Sequence, residues 1–330
     1  MEQQSLITTP PPTKNSPSNV RFVFFNDRGL RAGWRIAIFG AILYAIYALG
    51  TFVVRRLGAG GRAGGPGATE PHYLLPIGLG IAELVAFLII LLVSWVMSRI
   101  ERRRVGEYGL PLTRSAWSQL AIGYLLWGFL PLSLLLLIMR SLHVFYFGNL
   151  ILRGSSILIW GLLWGFTFLM VGFFEEYTFR GYALYTLADG IGFWPAAIIL
   201  AAVFGRVHMG NSGETHIGII DVCLFAIFAA VTLRLTGNLW LAVGAHAGWD
   251  WGESFFYGVN DSGTTAPGHL FNSHVQGPDW LSGGSVGPEG SVLSSAFLIL
   301  MTIAFFVIYR KRREGATVMD GERSPAPQGL

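Results

Sequence analysis

Apolar runs long enough to cross a bilayer, which takes about 20 helical residues, cover 34–54, 73–98, 117–139 and 156–174. Less uniform runs follow at 193–207, 217–235 and 238–257, and a last clear one covers 292–309. In and beside the three weaker runs stand Arg206, His208, Asp221, Arg234, His246 and Asp250, so hydropathy alone scores them poorly. The pattern predicts an all-α polytopic membrane helical bundle of about eight transmembrane helices.

Between the runs the composition changes. Residues 1–33 are polar and proline-bearing, which predicts a disordered N-terminus, and 34–155 hold the first group of membrane helices. A second group fills 156–257. Residues 258–291 are rich in Gly, Ser, Pro and Asn and read as a long loop on the far side, with Ser291 placed to cap the final helix, 292–309. The tail, 310–330, is basic and then disordered in expectation. Gly161–Gly165 and Gly244–Gly248 have the spacing that lets membrane helices approach closely.

Composition supports the membrane reading. Hydrophobic residues make up 52% of the 330, while Asp, Glu, Lys and Arg make up only 13%. A soluble domain carries about 25% charged residues. Mean hydropathy is +0.52. Cys223 is the single cysteine, which excludes an intrachain disulfide scaffold. The polar start lacks the basic, apolar and cleavable pattern of a signal peptide, so the first span is expected to remain as an anchor.

The net charge of +4 is small, and its placement is informative. Lys14, Arg21, Arg28 and Arg31 precede the first span and Arg35 stands at its start. Arg99, Arg102, Arg103, Arg104 and Arg114 follow the second, and Arg310, Lys311, Arg312, Arg313 and Arg323 follow the last. The intervening segments carry fewer (Arg55, Arg56 and Arg62; Arg140 and Arg153). The positive-inside rule then places both termini in the cytoplasm. Positive residues flank spans and do not line a face that could track phosphates, so no nucleic acid is expected as a partner.

Ionisable side chains are costly inside a bilayer and usually face a cavity or a partner. Three groups of them fall on successive runs. Glu175-Glu176-Tyr177-Thr178-Phe179-Arg180 puts Glu176 and Arg180 on one helical face, a spacing that also suits a structural ion pair. Glu175 points about 100° away from Glu176 and has no basic residue three or four positions off. Phe204-Gly205-Arg206-Val207-His208 places one imidazole at the end of a run. His246-Ala247-Gly248-Trp249-Asp250 places another four residues before a carboxylate, as a structural hydrogen bond, a pair of metal ligands or a base with its orienting acid would require. If the helix bearing Glu175 continues to about residue 188, Glu175 lies about 20 Å from the turn and His208, on the returning helix, about 24 Å. His246 would lie only about 12 Å from a turn near Gly237, so its helix must tilt or sit at another height.

In that order the three groups resemble the motifs of the CPBP intramembrane protease family, whose eukaryotic members are the type II CAAX prenyl endopeptidases and many of whose bacterial members are linked to bacteriocin self-immunity. The resemblance covers about residues 156–257. Two departures stand out. Arg206 replaces a usually apolar neighbour in the second motif, and Asp250 stands where the third more typically ends in Asn. A carboxylate donates no hydrogen bond unless it is protonated.

The resemblance implies hydrolysis of a peptide bond in a membrane-associated peptide or protein substrate, at a multi-pass protein of the cell membrane embedded in the lipid bilayer. No serine lies in the three motifs and Cys223 matches none of them, so an activated water is the expected nucleophile. Glu175 would be its general base and His208 would hold the water or share its proton. His246 would stabilise the oxyanion, Glu176–Arg180 would fix the helix carrying Glu175, and Asp250 would orient His246. Glu175, His208, His246 and Asp250 also form a ligand set that Zn²⁺ accepts, although a Glu175 bound to metal is no longer a free base. The preferred reading is a metal-independent water. Two rivals stand beside the protease: a non-catalytic immunity or scaffold protein with a buried polar network, and a proton-coupled transporter using Glu175, His208 and Asp250 as a relay.

Overall fold

The computed structural model describes residues 23–26, 29–56, 73–211 and 213–323. Most of the expected disordered N-terminus, the segment 57–72 that contains Arg62, and the last residues of the tail lie outside the described residues. The chain is a helical bundle. A short hairpin of β1 (Phe25–Asn26) and β2 (Gly29–Leu30) leads into α1 (Ala32–Arg56), so the part of the polar start nearest the membrane is ordered. The next helices are α2 (Leu74–Glu101), α3 (Ala116–Ser141, π-helical over Gly123–Phe129), α4 (Ser155–Arg180), α5 (Tyr182–Ile191) and α6 (Phe193–His208). Then come α7 (His216–Thr236), α8 (Trp240–Trp251, running on as a π-turn to Tyr257), the short α9 (Asp279–Ser282) and α10 (Val292–Arg323). The tail expected from 310 onward is thus helical as far as Arg323.

Six of these helical stretches are long and apolar enough to cross a membrane: Ala32–Phe52, Leu74–Glu101, Ala116–Ser141, Ser155–Ile191, His216–Thr236 and Val292–Lys311. Their outer faces carry exposed Leu88, Leu92, Leu162 and Leu300, which suits a multi-pass membrane protein surrounded by lipid. The runs at 193–207 and 238–257 also fold as helices, but α6 has only 16 residues and α8 only 12 before its π-turn. The expected number of eight crossings therefore reduces to six long helices and two shorter ones.

Two local features set the site. The stretch bearing the two glutamates is not one continuous helix to residue 188, because it breaks at Gly181 after Arg180. A Cβ there would strike the Tyr177 carbonyl oxygen, so the break requires glycine. The second feature resolves the height of His246. The turn before α8 is buried inside the protein: Leu239 is fully enclosed, its N–H donates to Gly109 O at 2.7 Å, and Trp240 Nε1 donates to Pro111 O at 2.9 Å. Asn238 Oδ1 caps the new helix by accepting from Trp240 N at 3.2 Å. The segment after α2 covers this helix start, so α8 begins below the bundle surface and His246 reaches the depth of Glu175.

Close packing holds α8 in place. A Cβ at Gly244 would overlap Leu120 O and one at Gly248 would overlap Tyr124 O, both on α3. In return, Gly123 and Gly128 of α3 abut Leu241 O and Ala245 O. These contacts are backbone against backbone, as the Gly244–Gly248 spacing predicts. Gly161 and Gly165 instead admit side chains from the end of α8 and its π-turn: a Cβ at Gly161 would meet the Phe255 ring at 3.1 Å, and Trp251 Nε1 donates to Gly161 O at 3.0 Å. At one end of the bundle Arg35 binds Glu101 at 2.8 Å and Asp189 at 3.1 Å, Arg103 binds Asp189 at 3.1 Å, and the Tyr182 hydroxyl donates to Glu101 at 2.5 Å. That network ties α1, α2 and α5 together.

Candidate active site

Glu175 and Glu176 sit near the end of α4 and separate in space as the 100° step requires. Glu176 is fully buried and Arg180, one turn on, is nearly so; Arg180 Nη1 lies 3.4 Å from Glu176 Oε1. The same Oε1 receives His246 Nδ1 at 2.8 Å. The orienting hydrogen bond expected from Asp250 is therefore supplied by Glu176, from a different helix. Asp250 Oδ2 stands 3.4 Å from the other ring nitrogen of His246, Nε2.

Arg180 reaches the second motif as well. Its guanidinium lies over the Phe204 ring, 4.5 Å from the centroid, and that ring packs against His208 at 4.3 Å between centroids. Phe204 O accepts from His208 Nδ1 at 2.8 Å. A carbonyl can only accept, so Nδ1 of His208 carries a proton. With Glu176 ionised against Arg180, Nδ1 of His246 is likewise the donor. Both imidazoles are thus held from behind by Nδ1–H, and both turn Nε2 toward Glu175.

The distances are short. Glu175 Oε2 is 3.9 Å from His208 Nε2 and 3.6 Å from His246 Nε2. All three line one cavity of about 260 Å³ together with Asp250, Asp221, Phe225 and Trp249. The Glu175 side chain retains 23% of its exposure and His208 15%, against 0% for Glu176. The outer acid is wet and the inner one is dry. A water placed about 2.8 Å from Glu175 and both imidazoles would complete a triangle.

The zinc set suggested by the sequence fits this arrangement poorly. Among the described residues, the three metal-binding side chains whose donor atoms all lie within 4.8 Å of one another are Asp250, Asp261 and Glu289. Glu175 and the two histidines are not such a group.

Asp261, Ser262 and Glu289 come from the 258–291 segment, which folds back over the cavity and does not hang free of it. Ser254 Oγ donates to Asp261 at 2.9 Å, and Ser262 Oγ donates to Glu289 at 3.2 Å. Strand β4 (His274–Val275) anchors the segment to β3 (Phe145–Tyr146), the strand that follows α3. Burial pushes the Asp261 carboxyl up to about 6, with a smaller push from Glu175, and burial with repulsion from Asp261 and Asp221 pushes that of Glu289 up to about 8. Asp221, which stands in one of the weaker runs, accepts from Ser295 and also faces the cavity. Asp261 and Glu289 belong to no motif. Among the described features of the sequence, only their place in an otherwise charge-poor loop marks them.

Residues 156–252 match the family model described as type II CAAX prenyl endopeptidase, Rce1-like. The matched stretch contains all three motifs: Glu175-Glu176 with Arg180, Phe204 with His208, and His246 with Asp250. No curated protein and no solved structure matches the chain.

Proposed function

We propose that this multi-pass membrane protein, whose residues 156–252 carry a type II CAAX prenyl endopeptidase Rce1-like domain, is an intramembrane endopeptidase that hydrolyses a peptide bond with a water activated by Glu175. The observation that carries the reading is the convergence of Glu175 Oε2 with two Nε2 atoms, at 3.9 and 3.6 Å, in one cavity.

Each residue then has a task that its contacts suit. Glu175 takes a proton from the water as the oxygen attacks the scissile carbonyl carbon. His208, fixed by Phe204 O, accepts a hydrogen bond from the same water and holds it in line. His246 carries Nδ1–H against Glu176; with a proton on Nε2 as well, that nitrogen donates to the oxyanion as it forms. Asp250 beside Nε2 stabilises the ring when it bears the second proton. Glu175 afterwards delivers its proton to the leaving amine, so acid and base are one carboxyl. Arg180 and Glu176 touch no substrate atom. They position the helix and the imidazole.

The test is cleavage of a membrane-associated peptide by purified protein in detergent or vesicles. Glu175→Gln is expected to lower kcat by about 10²–10⁴, the usual worth of a general base, with an unchanged melting temperature. Full activity in that variant would overturn the assignment. Phenanthroline, a zinc chelator, is expected to leave the rate unchanged; loss of cleavage with recovery on adding Zn²⁺ would replace the metal-independent water by a metal-bound one.

A further inference from the structure

Above the cavity, three carboxylates from two parts of the chain meet with no arginine or lysine paired to them among the described residues. Asp250 comes from α8, and Asp261 and Glu289 come from the start and end of the 258–291 segment; one oxygen of each lies within 4.8 Å of the others. The basic group that acts on all three is His246, which is already flanked by Glu176 and Glu175. Three ionised acids at this separation repel strongly in a poorly hydrated place.

An independent feature points the same way. Glu253, one turn after Asp250, is 0% exposed, and neither carboxylate oxygen has a hydrogen-bond partner. It interacts electrostatically with Asp250, Asp261 and Glu289 together, and the one polar group turned toward it is the indole N–H of Trp249, outside ideal hydrogen-bond geometry. A fully enclosed acid near three more acids, with no arginine or lysine beside it among the described residues, is short of counter-charge. Salt bridges elsewhere in this protein, such as Arg180 with Glu176, meet that need with a side chain. Here no described arginine or lysine does so.

We infer that Asp250, Asp261 and Glu289 bind a hard divalent cation, Ca²⁺ in preference to a soft metal, which fastens the 258–291 segment onto α8 over the cavity. The donors are all oxygen, which selects hard cations, whereas sites rich in imidazole or thiolate favour zinc. Oxygens within 4.8 Å of one another suit bonds of about 2.3–2.6 Å to a shared ion. The Ser262 hydroxyl, which now donates to Glu289, lines the same cavity and lies within reach as a neutral fourth oxygen. Asp250 keeps an oxygen toward His246 while the other can serve the ion. Glu253 then becomes a second layer of negative charge.

This inference goes beyond the hydrolytic reading, and its readout does not involve cleavage. Full-length protein in detergent is stripped with a chelator and titrated with CaCl₂. One ion per chain by equilibrium dialysis, with a saturable rise in melting temperature, is expected. The double variant Asp261→Asn/Glu289→Gln is expected to bind Ca²⁺ at least tenfold more weakly and, relieved of repulsion, to melt no lower than the wild type without calcium. Glu175→Gln is expected to keep the full calcium response. Absence of saturable binding, an unchanged affinity in the double variant, or tighter binding of Zn²⁺ than of Ca²⁺ at this set would each overturn the site. If the double variant does not fold, Tb³⁺ emission sensitised by Trp249 decides the matter on the unaltered protein. Emission displaced by Ca²⁺ supports the site, and its absence refutes it.

Discussion

Glu176 and Glu175 are neighbours in sequence with opposite surroundings, and that contrast organises the site. Glu176 is sealed between Arg180 and His246, whereas Glu175 looks into the cavity. Removing the inner acid exposes the cost of the pair: Glu176→Ala leaves the Arg180 guanidinium buried and unpaired, which is expected to cost about 3–5 kcal/mol in a chemical-denaturation measurement. Glu176→Gln keeps the shape and an acceptor oxygen for His246 Nδ1, so it is expected to retain more of both stability and cleavage than the alanine variant. If the two variants behaved alike, the charge would matter less than the geometry implies. At this scale the sequence was informative. The order of two acids, Arg180, His208, His246 and Asp250 marked residues that do converge, because ionisable groups on apolar helices must find one another or water. The partner of His246 was not legible: a four-residue spacing favours Asp250, while the hydrogen bond goes to Glu176 across a helix–helix contact that local spacing cannot encode.

Helix placement depends on where backbones can touch. Gly244 and Gly248 let α8 lie directly on α3, and Gly123 and Gly128 reciprocate. Gly244→Ala or Gly248→Ala forces a methyl against a carbonyl oxygen, and each is expected to lower stability by about 1–3 kcal/mol, read as a drop in melting temperature in detergent. Gly161→Ala, which meets only the edge of the Phe255 ring, is expected to cost less. An equal loss at Gly161 would show that close approach of α8 and α3 is not the reason for these glycines. Apolar run length located the six long helices, α6 and α8 near predicted spans, yet not α5, the break at Gly181 or the buried start of α8. Hydropathy reports what the solvent accepts; it says nothing of a helix that begins against another segment of the protein. The same limit explains the 258–291 segment: its Gly, Ser and Pro content signals turns but not the surface on which the turns settle.

For the molecule as a whole, arrangement in the bilayer follows from which end holds the positive charge. Arg35, Arg103 and the α2 terminus lie at one end, and α8 runs from that end to the 258–291 segment. With the arginine-bearing end cytoplasmic, the segment over the cavity faces the opposite compartment. In a Cys223→Ala background, a cysteine replacing exposed Gln276 is expected to react with an impermeant maleimide added to intact cells, and one replacing exposed Leu112 only after permeabilisation. The reverse labelling pattern would invert the topology.

The buried turn ahead of Trp240 bears on biosynthesis. Every residue from Trp240 to Asp250 is enclosed by protein, so this stretch gains its shelter from neighbouring helices and owes little to hydrocarbon. On its own, with His246 and Asp250 aboard, it is a weak candidate for the translocon, and the third motif arrives at its station only after the surrounding helices have gathered. On the proposed reading, a half-made chain therefore holds Glu175 and His208 without their third partner, and the centre is complete only at the close of assembly.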